Sequence, residues 1–298
     1  PIGSEMAHAF ALLGSEVLLI EAMHGILPKE ETDASNIVRC EMERDGVKLL
    51  CCGKKTEIKP ADNGQLRVTL DSHDAHYDET IDSLLVSVGR APNLENLGLG
   101  VVGVESHPSH GVVVNDRLQT TNANIYAAGD ICSRYQFTHA ADFMARIVIQ
   151  NALFWGRAKA SALTIPWCTY TTPELARVGL SPKEAEEQGI EIETFTREMP
   201  EVDRAILDGE TAGMVRIHVK RGTDQIVGAT IVAAHAGDLM GEVSLAMTNG
   251  IGLKKIANAI HPYPTQAEAI RQIGDQYNRT RLTPRVKWLL KKWLNWSR

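Results

Sequence analysis

The sequence predicts an α/β architecture in its first half and an α+β architecture in its second. Three observations carry this. Residues 6–13 have helical periodicity and pass through Gly14 into an apolar run, 16–21, that ends in an acid. A second apolar stretch, 124–131, breaks at Gly129 and presents Asp130. From Gly213 to Val232 the pattern becomes alternating strand pairs followed by a helix, which suits an antiparallel sheet rather than a further strand–helix repeat.

Bulk properties narrow the class. The 298 residues suffice for two or three domains, and 23% charged with 44% hydrophobic residues is ordinary for a globular protein. No apolar run is long enough to span a bilayer and no signal peptide is visible, so a cytoplasmic location is expected. Five cysteines without framework spacing suit a reducing compartment. The net charge of −6 hides an asymmetry: from Tyr277 onward there are seven basic residues and no acid, against 24 Lys and Arg and 37 Asp and Glu before it. An acidic body makes nucleic acid a poor partner.

In chain order, residues 1–5, with Gly3 and Glu5, run at once into the helical pattern over 6–13, which leads to the strand ending at Glu21. This is half of a dinucleotide fingerprint. In the full motif a strand enters G-x-G-x-x-G, whose last glycine permits close helix packing, and an acid ending the next strand holds the adenosine ribose. Gly3 takes the place of that last glycine and Glu21 of the ribose acid, while the first two glycines are absent from the chain. A carboxylate at 21 accepts from a ribose 2′-hydroxyl and repels a 2′-phosphate, which favours NAD over NADP; nearby His24 and Lys29 moderate the preference.

Helical turns around 30–44 lead to a strand at 47–53, then to hairpin strands at 65–70 and 79–82 and a buried strand at 83–88. Cys51 and Cys52 invite a metal or redox reading, but adjacent residues of a strand point to opposite faces. They are therefore read as two small buried side chains, and no metal-ligand set is assigned. The stretch 124–131 reads as a short buried strand whose glycine lets a backbone pass close to a ligand and whose Asp130 can accept from sugar-type hydroxyls. Thr138 and His139 then open a helix, whose first amides would stabilise an anionic flavin edge.

The half fingerprint, the turn Gly89-Arg90-Ala91-Pro92-Asn93 and the stretch ending in Asp130 together resemble the pyridine nucleotide-disulfide oxidoreductases. The resemblance implies a partial NAD-binding Rossmann-like domain at 1–89, the returning part of an FAD-binding domain at 90–160, and an α+β dimerisation domain at 161–276. It implies bound FAD and NAD, with Gly89, Arg90, Gly129, Asp130, Thr138 and His139 on the flavin side and Gly3, Glu5 and Glu21 on the pyridine nucleotide side. It also implies a homodimer. Within the third domain, Ser181, Pro182 and Glu184 form a capping box at a helix start, and a helix is expected at 236–249.

The segment closest to chemistry is Ala259-Ile260-His261-Pro262-Tyr263-Pro264-Thr265-Gln266-Ala267-Glu268. Lipoamide and glutathione members of the family carry H-P-T-x-S-E there, with a histidine oriented by the glutamate serving the partner subunit's disulfide as acid–base. This chain aligns Tyr263 with that histidine and keeps Glu268. Tyrosine is a poor neutral-pH base but a usable hydrogen-bond donor. Tyr263 resembles the mercuric reductases, which act on metal-thiolate complexes, although their terminal vicinal cysteines have no counterpart here. His261 is either an alternative base or a hydrogen-bonded structural histidine.

The resemblance therefore implies transfer of hydride from NADH through FAD and a dithiol to a small-molecule or metal-thiolate acceptor. Dihydrolipoamide dehydrogenase is the alternative, and a non-catalytic nucleotide-binding and dimerisation module a third. No C-x-x-x-x-C pair occurs, so the chain reads as the C-terminal portion of such a flavoprotein and is expected to be inactive as given. Its tail, 277–298, has an apolar arc of Leu282, Val286, Leu289, Leu290, Trp293, Leu294 and Trp296 flanked by basic residues. Such a helix suits either an anionic membrane surface, at the inner face of a membrane, or docking on the acidic body or a dimer partner.

Overall fold

A computed structural model describes residues 1–73 and 75–296; Ser297 and Arg298, which end the tail, lie outside the described residues. The chain divides into two compact units, one formed by Pro1–Ser87 together with the chain from Pro166 onward, the other by Val88–Ile165.

The first unit opens with α1 (Ile2–Leu12), β1 (Val17–Ile20), α2 (Thr32–Arg44) and β2 (Val47–Leu50). β1 and β2 pair in parallel, and a meander of β3 (Lys54–Pro60), β4 (Leu66–Ser72) and β5 (Ala75–Ile81) follows. β3 was not legible in advance: all its side chains are exposed, so it lacks the apolar alternation that marks a half-buried strand.

Two expected strands are corrected. Residues 83–88 form no strand, and their apolar side chains are exposed, Val88 by 94%. A continuous apolar run signals burial between neighbours, but a strand needs a hydrogen-bonding partner, and among the described residues the parallel sheet contains only β1 and β2. The stretch 124–131 fails for the same reason. Tyr126 makes one isolated bridge with Gln119, and the chain then turns through a single 3-10 turn, Gly129–Ile131. Cys51 and Cys52 also depart from expectation. β2 ends at Leu50 and Cys52 has a left-handed φ of 59°, so strand alternation does not apply and the two thiols share a side.

The second unit holds the two-residue strands β6 (Ser106–His107) and β7 (Gly111–Val112) and the helix α3 (Thr138–Leu153). Its core is small: Leu118, Ala140, Met144 and Ile147 are buried, with half-buried neighbours such as Tyr135 and Phe137.

From Pro166 the chain builds β8 (Pro166–Thr169), β9 (Glu174–Gly179), α4 (Pro182–Glu187), β10 (Ile192–Glu198), α5 (Asp203–Asp208), β11 (Met214–Lys220) and β12 (Ile226–Ala233). Then come α6 (Ala236–Thr248), α7 (Leu253–Ala257), α8 (Glu268–Thr280) and α9 (Pro284–Trp296). The strands form one antiparallel sheet in the order β10-β11-β12-β9-β8. The capping box forms at Ser181, whose hydroxyl accepts the Glu184 amide while Glu184 accepts the Ser181 amide at 2.9 Å.

Alternation along these strands sorts the side chains onto two faces. Ala176, Val178, Val215, Ile217, Val219, Ala229 and Ile231 meet α6, α7 and α8 in the main core. The opposite face puts Leu175, Met214 and Val232 against α1 and α2, so the N-terminal elements and this sheet share a core. That second face is also polar. Glu31 accepts from Thr230 at 2.5 Å and from Arg216 at 2.8 Å and lies 3.3 Å from the His218 ring, while Arg177 donates to the Lys29 carbonyl at 2.8 Å and its guanidinium lies over Trp167.

Candidate functional site

The candidate residues fall into three groups. In the first unit, a Cβ on Gly3 would lie 3.3 Å from the Ser87 Cβ, so the absent side chain is what allows α1 to approach the 83–87 run closely. Glu21 follows β1 at its carboxyl end, and its Oε1 accepts the Met23 amide at 2.9 Å. Parallel strands present ligand-binding groups at that end, and the amide fixes the carboxylate's direction. Glu5 has a different attachment: its Oε1 accepts the Tyr170 amide at 2.9 Å, tying α1 to the end of β8.

In the second unit, Gly129 has φ 81°, and a Cβ there would lie 2.8 Å from the Ala141 Cβ. Only glycine lets this turn sit so close under α3. Asp130 follows it and forms an ion pair with Arg90, which also donates to the Gln136 carbonyl at 2.7 Å. Gly89, at φ 136°, makes the bend that delivers Arg90. Thr138 and His139 are exposed in the first turn of α3, with His139 stacked on Phe137 at 5.4 Å. The N-cap residue, Phe137, has no capping side chain, and a helix start of this kind presents amides toward an acceptor. A glycine turn, an accessible carboxylate and helix-start amides fit the ribityl chain and the N1/O2 edge of a flavin. The Arg90 contact to Asp130 was not foreseen, since 40 residues separate the pair.

The third group lies around Tyr263, which is 69% exposed and donates its hydroxyl to Asp203 at 2.8 Å. That hydrogen bond, then the charge of Asp203, push the phenol above its ordinary value and keep it a donor. The His261 side chain is only 8% exposed. Its Nε2 lies 2.9 Å from Glu242 and its Nδ1 3.1 Å from the Ala259 carbonyl, so both ring nitrogens face acceptors. Glu268 does not orient it: that carboxylate pairs with Arg271 at 2.9 Å. A histidine–glutamate pair thus exists, with Glu242 of α6 as the glutamate. Sequence reading missed Glu242 and Asp203 because both reach their partners through the tertiary fold.

All five cysteines are free. Burial pushes the Cys132 thiol up to about 11, and burial, then Glu174 and Glu5, pushes Cys168 up to about 12, so neither is a ready thiolate nucleophile at neutral pH.

Two family models match this chain: pyridine nucleotide-disulphide oxidoreductase over residues 1–145, and the dimerisation domain of the same family over residues 165–273. Among similar curated proteins, a mercuric reductase of Staphylococcus aureus is 31% identical, covering 91% of this chain and 49% of its own length. A dihydrolipoyl dehydrogenase of Chlamydia muridarum is 34% identical, covering 90% and 56%. The chain therefore spans about half the length of the curated relatives it matches. The HOCl-induced flavoprotein disulfide reductase RclA from Escherichia coli superposes with a TM-score of 0.82 at 28% identity, over 92% of this chain and 62% of that one. Members of the family bind FAD and a pyridine nucleotide. Motif order, fold and both matches agree that the chain belongs to the pyridine nucleotide-disulphide oxidoreductase family.

Proposed function

We propose that the chain supplies pyridine nucleotide-binding, flavin-contacting and interface segments of an FAD-dependent, NADH-consuming oxidoreductase of the mercuric reductase-like type, working as a homodimer. The observation that carries this reading is Tyr263, an exposed phenol held on Asp203 where lipoamide-type members carry a histidine base. His261 is committed to Glu242 and Ala259, and would have to break a contact before taking a substrate proton.

A flavin held by Asp130 and the first amides of α3 would supply two-electron chemistry between NADH and a dithiol. The chain's own residues bind and orient. Glu21 selects the unphosphorylated ribose of NADH, and Gly3 lets α1 pack closely behind the nucleotide. Asp130 and the first amides of α3 hold the flavin's polar edge. Tyr263, contributed to the opposite subunit from the same segment as Glu268, turns its one hydroxyl proton from Asp203 to a metal-bound thiolate or disulfide acceptor, an exchange of hydrogen-bond partner that removes no proton from the substrate. That acceptor class is named by the mercuric reductases; the dihydrolipoyl dehydrogenases name the alternative.

The test uses the protein as its source cell makes it, captured through an antibody to this region. A mass well above 32.7 kDa with bound flavin is expected. NADH oxidation is then followed with a Hg(II)-thiolate and with lipoamide. Tyr263→Phe should lower turnover of the metal-thiolate on the order of 100-fold, the loss of one preorganised donor, while His261→Gln leaves it largely intact. Fast lipoamide turnover that depends on His261 would assign the dehydrogenase reading. A flavin-free 32.7 kDa species without NADH oxidation would assign the non-catalytic module.

The tail supports a second, separable proposal of contact with an anionic membrane surface. Trp288, Leu289, Trp293 and Trp296 of α9 are all exposed, beside Lys287, Lys291 and Lys292. Flotation with anionic liposomes should be lost when residues 282–298 are deleted, and unchanged flotation would reject it. No helix among the described residues is long and apolar enough to cross a membrane.

A further inference from the structure

We propose that His24 Nδ1, Cys51 Sγ and Cys52 Sγ form a binding site for a thiophilic d10 cation, Zn(II) or Cu(I), with His73 as the fourth ligand. This site is separate from the flavin and interface residues above and does not depend on their reading.

The three primary ligand atoms all lie within 4.8 Å of one another. His24 Nδ1 is 3.0 Å from Cys52 Sγ, and His73 Nε2 is 3.1 Å from Cys51 Sγ. Around a tetrahedral zinc, metal–ligand bonds of about 2.0–2.3 Å put neighbouring N and S atoms roughly 3.5–3.8 Å apart. The His24–Cys52 contact would open by about half an ångström and the wider pairs close toward the same spacing to admit the ion, while His73, which touches Cys51 but lies outside the mutually close three, would swing in to complete the set.

The ligands come from three segments that the backbone already ties together. The Cys52 amide donates to the Met23 carbonyl at 2.9 Å and the Gly53 amide to the Glu21 carbonyl at 3.0 Å, joining the loop after β2 to the loop bearing His24. The Ser72 hydroxyl donates to the Cys51 carbonyl at 2.6 Å, joining the end of β4, and the next residue, His73, takes a left-handed turn with φ 50°. The left-handed φ at Cys52 brings its thiol to the same side as that of Cys51. Two thiols and two imidazoles are the donor set that borderline and soft cations prefer over Mg(II) or Ca(II). The site shares its loop with Glu21, so an ion there would stiffen the segment carrying the proposed ribose acid.

The test is a Co(II) titration of the full chain, reduced and stripped of metal by a chelator. One equivalent should bind, with thiolate-to-cobalt charge transfer and strong d–d bands of a tetrahedral site. Zn(II) should displace it stoichiometrically, and Cu(I), delivered with a competing chelator, should do so as well if the softer ion is preferred. Cys51→Ser with Cys52→Ser should abolish the charge-transfer band, and His24→Ala should weaken binding at least about 10-fold. His73→Ala should keep the band but change the d–d envelope as water replaces a nitrogen. A triple variant, Cys40→Ser, Cys132→Ser and Cys168→Ser, should behave as the parent. The ligands sit on exposed or half-exposed loops, and circular dichroism of each variant checks that the fold persists. The proposal is overturned if the parent gives no charge-transfer band, if the band survives the Cys51/Cys52 double variant, or if those two thiols are joined in a disulfide that resists reduction.

Discussion

The antiparallel sheet of the C-terminal region and the run 83–88 are both rich in branched aliphatic residues, yet one is core and the other is surface. In the sheet, Val215, Ile217 and Ile231 are fully buried, because β9 to β12 pair antiparallel and helices α6 to α8 close one face. Leu84, Leu85, Val86 and Val88 meet no strand partner among the described residues and stay exposed. Hydrophobicity alone does not make a core element; the partner must be present in the same folding unit. Antiparallel neighbours arrive through hairpins, whereas a parallel strand depends on chain far away in sequence.

The largest effect that would sharpen this contrast is at Ile231. Ile231→Ala should cost about 3–4 kcal/mol in urea unfolding, as buried truncations do. Arg177→Ala should cost about 3 kcal/mol, because it leaves Glu30 buried without its charge partner. Loss comparable to a surface substitution would show that the polar face of the sheet is not structurally important.

A smaller effect is pH-dependent. Burial alone would raise the carboxyl of Glu31, but hydrogen bonds from His218, Thr230 and Arg216 and the charge of His218 outweigh it and hold the group at about 2. The folded value lies below the unfolded 4.5, so the stabilisation is present above about 4.5 and fades as pH falls toward 2. After allowance for partial solvent screening it amounts to ~2 kcal/mol. Glu31→Gln should flatten this part of the acid-unfolding profile, and an unchanged slope between pH 4.5 and 2 would contradict the assignment. The smallest effect is expected at Leu85→Ser, within about 0.5 kcal/mol of the parent. A cost like that of Ile231→Ala would mean that 83–88 is packed after all.

What was legible in the sequence follows the same division. The helical periodicity over 6–13, the Ser181–Glu184 cap, the strands β11 and β12 and the helix at Ala236 rest on local pattern and capping, and all form, the first as part of α1, which starts earlier, at Ile2. The left-handed Cys52 was hidden because alternation assumes that a strand continues, and β2 stops two residues before it. Asp203 and Glu242 were hidden because nothing near Tyr263 or His261 in sequence announces them. Asp130 could be picked out by its glycine turn, but not its ion pair with Arg90.

The two-stranded parallel sheet has a further consequence. Among the described residues β1 and β2 each leave one row of amides and carbonyls without a strand beside it, and the apolar run 83–88, beyond the meander that follows them, has no ladder of its own. Such edges accept any extended segment of compatible register, whether from a correct partner or from another unfolded molecule. Heterologous production of this chain should therefore give yields that fall as expression level rises. A charged residue at Val86 should recover soluble material without changing the melting temperature.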